Sequence, residues 1–119
     1  DAIDSRSKSS SARLVAAYTD LVERDFASGK CVADYAQSLG VTPTHLSRCC
    51  KQTCGRPALS LLNDRIIYEA RVLLRETRTP VQDISKKLGF TSPAYFTRSF
   101  QARAGLTPSE FRKSGPPLT

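Results

Sequence analysis

The sequence predicts an all-α protein: seven helices forming two helix-turn-helix subdomains joined by a long linking helix. Three observations lead there. Apolar residues recur at three- and four-residue spacing, and no stretch alternates with period two over the length of a strand. Four pairs, Thr42-Pro43, Thr79-Pro80, Ser92-Pro93 and Thr107-Pro108, each set a capping hydroxyl before a proline. Proline suits the first helical position, where the amide it lacks would be unpaired anyway. Finally, one unit is written twice: Leu39-Gly40, Leu46-Ser47-Arg48 and Gly55, then Leu88-Gly89, Phe96-Thr97-Arg98 and Gly105.

Taken in order, residues 1–10 are Ser-rich, polar and aperiodic, and read as a flexible leader or the remnant of a linker. Leu14, Val15, Tyr18, Leu21, Val22 and Phe26 follow helical spacing, giving a helix over 11–27 that Gly29 stops. A short helix over 32–39 ends at Gly40, a natural residue just past a helix end. Helices over 43–53 and 57–76 follow. The latter carries a broad stripe of Leu61, Leu62, Ile66, Ile67, Ala70, Leu73 and Leu74, with Arg65, Glu69, Arg71 and Arg75 over the rest. Helices over 80–88, 93–103 and 108–113 complete the set. The first subdomain is thus 11–56, the linking helix 57–77 and the second subdomain 78–114, with a tail over 115–119.

Within the repeat, Leu46 aligns with Phe96, Cys50 with Phe100 and Ala58 with Pro108. Gly40 and Gly89 are 49 positions apart but Arg48 and Arg98 are 50, so the second copy has one extra residue in its turn. Positions 46 and 50, like 96 and 100, are one turn apart and face a core. Positions 44, 47, 48 and 51 (94, 97, 98 and 101) then point outward.

Charge separates along the chain. The formal net charge is +7, yet residues 1–30 hold five basic and five acidic side chains. Residues 31–119 hold thirteen basic and six acidic ones, and from Ile84 to Ser109 there is no acid at all. A basic excess confined to the duplicated region suits a polyanion. No apolar run approaches the ~20 residues needed to cross a bilayer, and no signal peptide is visible, so a cytoplasmic protein without membrane contact is expected. Methionine is absent, which points to a piece of a longer protein.

Of the four cysteines, Cys49, Cys50 and Cys54 fall near His45, but no CxxC pair exists. On a helix His45 and Cys49 share one face while Cys50 and Cys54 lie about 100° further round, so no metal site is expected. The cysteines read instead as small buried hydrophobes. No cofactor is implied and no catalytic residue is assigned: there is one histidine, no Ser-His-Asp pattern and no Gly-rich phosphate loop.

A duplicated helix-turn-helix whose second helix is basic can enter two successive DNA major grooves. Arg48 and Arg98 can each form a bidentate pair with guanine O6 and N7. Thr44, His45, Ser47, Ala94 and Thr97 are the other base-reading candidates, Ala94 through a thymine methyl. Thr42, Lys51, Arg56, Lys86, Lys87, Ser92 and Arg103 suit phosphates, which position without specifying. A linking helix of about 20 residues spans roughly 30 Å, close to the ~34 Å between successive grooves on one side of B-DNA. One monomer is therefore expected to place both helices on the same side.

The stretch Pro80-Val81-Gln82-Asp83-Ile84, Leu88-Gly89-Phe90, Tyr95-Phe96-Thr97-Arg98-Ser99-Phe100 and Gly105-Leu106-Thr107-Pro108-Ser109-Glu110-Phe111-Arg112 closely resembles the AraC/XylS family signature. Arg65 through Leu74 looks like that family's linking helix, and Leu46-Ser47-Arg48 with Gly55 like its first reader. The resemblance covers about residues 12–113. It implies the C-terminal DNA-binding domain of a bacterial transcription regulator, most often an activator, with RNA polymerase as a further partner. It also implies an upstream effector-sensing or dimerising domain missing from this chain. Two positions depart from the pattern: Cys50 and Ala58 stand where aromatics are usual. A more loosely packed first subdomain is expected, in which Cys50→Phe is tolerated or stabilising. The alternative reading is a helical protein-interaction module with an incidental basic face. RNA binding fits less well, since Phe96 and Phe100 sit at core spacing rather than on a stacking platform.

Overall fold

A computed structural model describes residues 2–115. Its helices are α1 (Ala2–Asp25), α2 (Val32–Ser38), α3 (Pro43–Cys54), α4 (Ala58–Glu76), α5 (Val81–Lys87), α6 (Pro93–Ala104) and α7 (Pro108–Ser114), with a single 3-10 turn at Phe26–Ser28. No strand occurs among the described residues. Six of the seven helices match the sequence expectation to within a residue or two at each end.

The exception is the start of α1, which lies near Ala2 rather than residue 11. The leader expected to be flexible over 1–10 is helical from Ala2 onward. No glycine or proline occurs before Gly29 to interrupt it, and a helix anchored downstream propagates through serines at a small cost per residue. Residues 1–10 carry no apolar periodicity, so the pattern gave no signal for a helix there. Most of the expected tail, residues 116–119, lies outside the described residues.

Three of the four Ser/Thr-Pro pairs cap as expected. Thr42 Oγ1 accepts from the His45 amide at 3.1 Å and Ser92 Oγ from the Tyr95 amide at 3.1 Å. Thr107 Oγ1 accepts from the Glu110 amide at 3.2 Å while Glu110 accepts back from the Thr107 amide at 2.9 Å. Thr79 does not cap. Pro80 takes the cap position of α5 without a side-chain bond, and Thr79 instead turns its hydroxyl to accept from Thr77 Oγ1 at 3.1 Å. Its amide donates to Thr77 Oγ1 at 3.3 Å and its carbonyl accepts from Arg112 at 2.7 Å. A cap not foreseen opens α2: the Cys31 amide donates to Asp34 Oδ2 at 2.9 Å, a bond that holds the Asp34 carboxyl below the usual carboxylate range.

The chain divides into two units, and the boundary falls inside α4 between Arg65 and Ile66. The linking helix expected over 57–77 contributes one part of its length to each. In the first unit, Val15, Tyr18 and Val22 of α1 are buried with Tyr35, Ala36, Leu46, Cys49, Cys50, Ala58 and Leu62. Tyr18 meets Tyr35 edge-on at 5.7 Å between centroids, and its hydroxyl donates to the Ala58 carbonyl at 2.7 Å. Arg65 grips Glu23 through two bonds of 2.7 and 2.9 Å and lies over the Phe26 ring at 4.2 Å. Cys49 and Cys50 are buried as expected, whereas Cys31 and Cys54 are exposed. These two sit at a helix start and in a last helical turn, where the chain meets solvent whatever the side chain.

The second unit buries Ile67, Ala70, Leu74, Ile84, Ser85, Leu88, Phe96, Phe100 and Pro108. Four rings run through it in sequence: Phe90 to Phe96 at 5.0 Å, Phe96 to Phe100 at 6.0 Å and Phe100 to Phe111 at 5.4 Å. Arg112 donates to the Leu74, Thr77 and Thr79 carbonyls at 3.0, 3.4 and 2.7 Å, satisfying acceptors that the end of α4 leaves open. The Ala27–Gly29 segment also belongs to this unit. Gly29 and Gly89 both have φ of +82°, and their backbones touch where any side chain would collide.

Candidate nucleic-acid interface

The duplication read from the sequence is a duplication of burial. Leu46 and Phe96, Cys50 and Phe100, and Ala58 and Pro108 are all buried, pair by pair at a separation of 50. In the turns, Val41 donates to the Ala36 carbonyl and Phe90 to the Ser85 carbonyl, both at 49. Thr42 and Ser92 then cap at 50. The extra residue of the second copy is therefore Thr91, inserted between the turn and the cap. Ala36 and Ser85 occupy the crowded position where α2 meets α3 and α5 meets α6. Ser85 keeps its hydroxyl there by donating to the Ser92 carbonyl at 3.4 Å.

With one face of α3 sealed by Leu46, Cys49 and Cys50, the opposite face is open. Thr44, His45, Arg48 and Lys51 are exposed and Ser47 is half-buried. Thr42 and His45 line an open depression at the α2–α3 turn together with Gln37, Gly40 and Val41. His45 Nε2 also lies 3.7 Å from Cys49 Sγ. Behind α3, the Ser11 hydroxyl of α1 donates to Gln52 at 2.9 Å and lies 3.5 Å from the buried Cys49 Sγ. On α6 the same logic leaves Ala94 and Arg98 exposed and Thr97 half-buried. Lys86 and Lys87 project from the last turn of α5, Arg103 is exposed near the end of α6, and Ser92 is half-buried at its start.

Arg56 departs from the expectation of a free phosphate contact. It forms an ion pair with Asp64 of α4, which raises the guanidinium's affinity for its proton. Only eight residues apart across the α3–α4 turn, the two are brought together by the short Gly55–Pro57 link. Tyr95 is among none of the base-reading or phosphate candidates read from the sequence. It is 53% exposed, with its ring tilted against Phe90 at 5.7 Å. The available signal was its register, 50 residues after the exposed His45.

No helix among the described residues is long and apolar enough to cross a membrane. Residues 35–114 match the family model described as a helix-turn-helix domain. The chain is 37% identical over 81 residues to the arabinose operon regulatory protein of Escherichia coli, covering 68% of this chain and 28% of that protein. It is likewise 37% identical over 81 residues to the HTH-type transcriptional activator AarP of Providencia stuartii, covering 68% of this chain and 60% of AarP. The chain thus spans under a third of the arabinose regulator's length. Among solved structures, the C-terminal domain of AraT, a response regulator from Geobacillus stearothermophilus, matches with a TM-score of 0.81 at 27% identity, covering 86% of this chain and 85% of that one. The DNA-binding domain of AdpA, solved with a target DNA, shares the fold with a TM-score of 0.73 at 21% identity, covering 87% and 90% of the two chains. With two helix-turn-helix units in register and these relatives, the chain belongs to the AraC/XylS family of DNA-binding transcription regulators.

Proposed function

We propose that this chain reads a specific sequence in double-stranded DNA to regulate transcription, α3 and α6 each entering a major groove. One observation carries this reading: each helix buries the same register (46 and 50, 96 and 100) and exposes an arginine at the same register, 48 and 98. In this reading Arg48 and Arg98 take guanine edges, and Thr44, His45, Ser47, Ala94 and Thr97 complete the base contacts. Thr42, Lys51, Lys86, Lys87, Ser92 and Arg103 hold phosphates. Arg56 joins them only where a phosphate displaces Asp64.

The description of AarP as a transcriptional activator and the greater length of the arabinose regulators support an activator that works beside further domains; a cytoplasmic location, contact with RNA polymerase and a sensing or dimerising role for those domains complete the proposal. Selection of bound duplexes from a random library, followed by salt titration, tests the reading. Two short preferred blocks about one helical turn apart are expected, with log affinity falling linearly against log salt. Equal affinity for selected and random duplexes refutes it.

A further inference from the structure

The two outward faces share a register but not a chemistry. On α3 it carries Thr44, His45, Ser47, Arg48 and Lys51: hydroxyls, an imidazole and two cations. On α6 the same register carries Ala94, Tyr95, Thr97, Arg98 and Gln101. Arg98 is the one charge from Pro93 to Gln101, and around it lie a methyl group, an aromatic ring and a threonine. The ring is not loose. Tyr95 rests on Phe90, which packs in turn on the buried Phe96 at 5.0 Å, so a large apolar surface is propped outward beside the arginine. Exposed apolar area of this kind is stabilised when a partner covers it.

The floor of the DNA major groove offers one apolar group, the C5-methyl of thymine. We propose that α6 reads a guanine flanked by thymines. Arg98 spans guanine O6 and N7, and the neighbouring thymine methyls lie against Ala94, the Tyr95 ring and the Thr97 methyl. The face of α3, with an imidazole, two cations and the one methyl of Thr44, carries a weaker preference. This inference rests on the duplex-reading function proposed above and specifies which bases its second unit takes.

The test uses the 119-residue chain and a duplex selected from a random library. Arg98→Ala identifies the block read by α6 as the one where base preference relaxes. Replacing thymine by deoxyuridine in that block removes only the methyls. Affinity is expected to fall about fourfold for each methyl lost, while deoxyuridine in the other block changes it less than twofold. Tyr95→Ala is expected to blunt the methyl dependence and Tyr95→Phe to keep it. Circular dichroism and an unchanged preference in the α3 block show that each variant is folded. A wild-type chain indifferent to deoxyuridine in the α6 block, or a selected block without thymine beside guanine, overturns this proposal and leaves duplex reading intact. A library yielding no enriched duplex overturns duplex reading itself, and this proposal with it.

Discussion

The Tyr18 hydroxyl donates to the Ala58 carbonyl at 2.7 Å, setting a ring from α1 beside Cys50 in the core of the first unit. In the second unit the corresponding space is filled from within the repeat, where Phe100 meets Phe111 at 5.4 Å. The matching positions of the first unit hold Cys50 and Leu61. The small thiol is thus matched by a large ring from outside the repeat.

That match reverses the expectation that a phenylalanine at position 50 is welcome. Cys50 is fully buried, so Cys50→Phe should cost about 1–3 kcal/mol through overpacking. Tyr18→Phe should cost about 1–2 kcal/mol by leaving the buried Ala58 carbonyl without its donor. Urea unfolding of the two variants measures both. A Cys50→Phe chain as stable as the parent would mean that Tyr18 does not fill this space.

The same burial makes the chain sensitive to alkali. Burial, with Cys54 and Cys49 nearby, pushes the Cys50 thiol up to about 11 from its ordinary 9.0, and burial also raises the Tyr18 phenol. Both groups are neutral when protonated. Above pH 9 the unfolded chain ionises its thiol and the folded chain does not. Stability is therefore whole below pH 9 and lost as pH rises from 9 toward 11, with Cys50 contributing on the order of 2 kcal/mol. Cys50→Val should flatten this limb in thermal melts. The acid limb has the opposite sign: Arg24 and Lys30 hold the Asp25 carboxyl down to about 2, so its stabilisation fades as pH falls from about 4 toward 2.

Two glycines with nearly the same backbone angle should respond differently to one methyl group. A Cβ on Gly105 (φ +80°) meets nothing within 4 Å, so Gly105→Ala should cost only the left-handed conformation, about 1 kcal/mol. A Cβ on Gly89 (φ +82°) would lie 2.6 Å from the Gly29 amide nitrogen and 2.8 Å from the Ala27 carbonyl. Gly89→Ala should therefore cost about 3 kcal/mol or more. Melting temperatures of the two variants separate strain from collision.

On DNA, Arg98→Ala should lose about 1–3 kcal/mol on the preferred site and relax choice at one or two positions. Lys87→Ala should weaken all sequences alike and lower the salt slope by about one. Fluorescence anisotropy on matched and mismatched duplexes distinguishes them. Identical behaviour of the two variants would show that base reading and phosphate holding are not divided between them.

Much of the interface was legible because its cues are local. Leu46 and Arg48, like Phe96 and Arg98, are close neighbours on one helix, and a 3.6-residue period alone decides that one is buried when the other is exposed. The caps at Thr42, Ser92 and Thr107 are legible for the same reason: donor and acceptor are three residues apart. Thr79 carried an identical signal, but its hydroxyl accepts from Thr77 instead. Arg56 carried the charge of a phosphate contact and was claimed by Asp64.

The sequence by itself determined the all-α class, the positions of six of the seven helices, the duplication and the face each reading helix turns outward, since periodicity and capping act within a few residues. Tertiary structure alone decided that Tyr18 fits beside Cys50 and that Gly29 and Gly89 touch. Each of these depends on which distant surfaces meet. Packing volumes and long-range hydrogen bonds settle that after the helices have formed, and no local pattern encodes it.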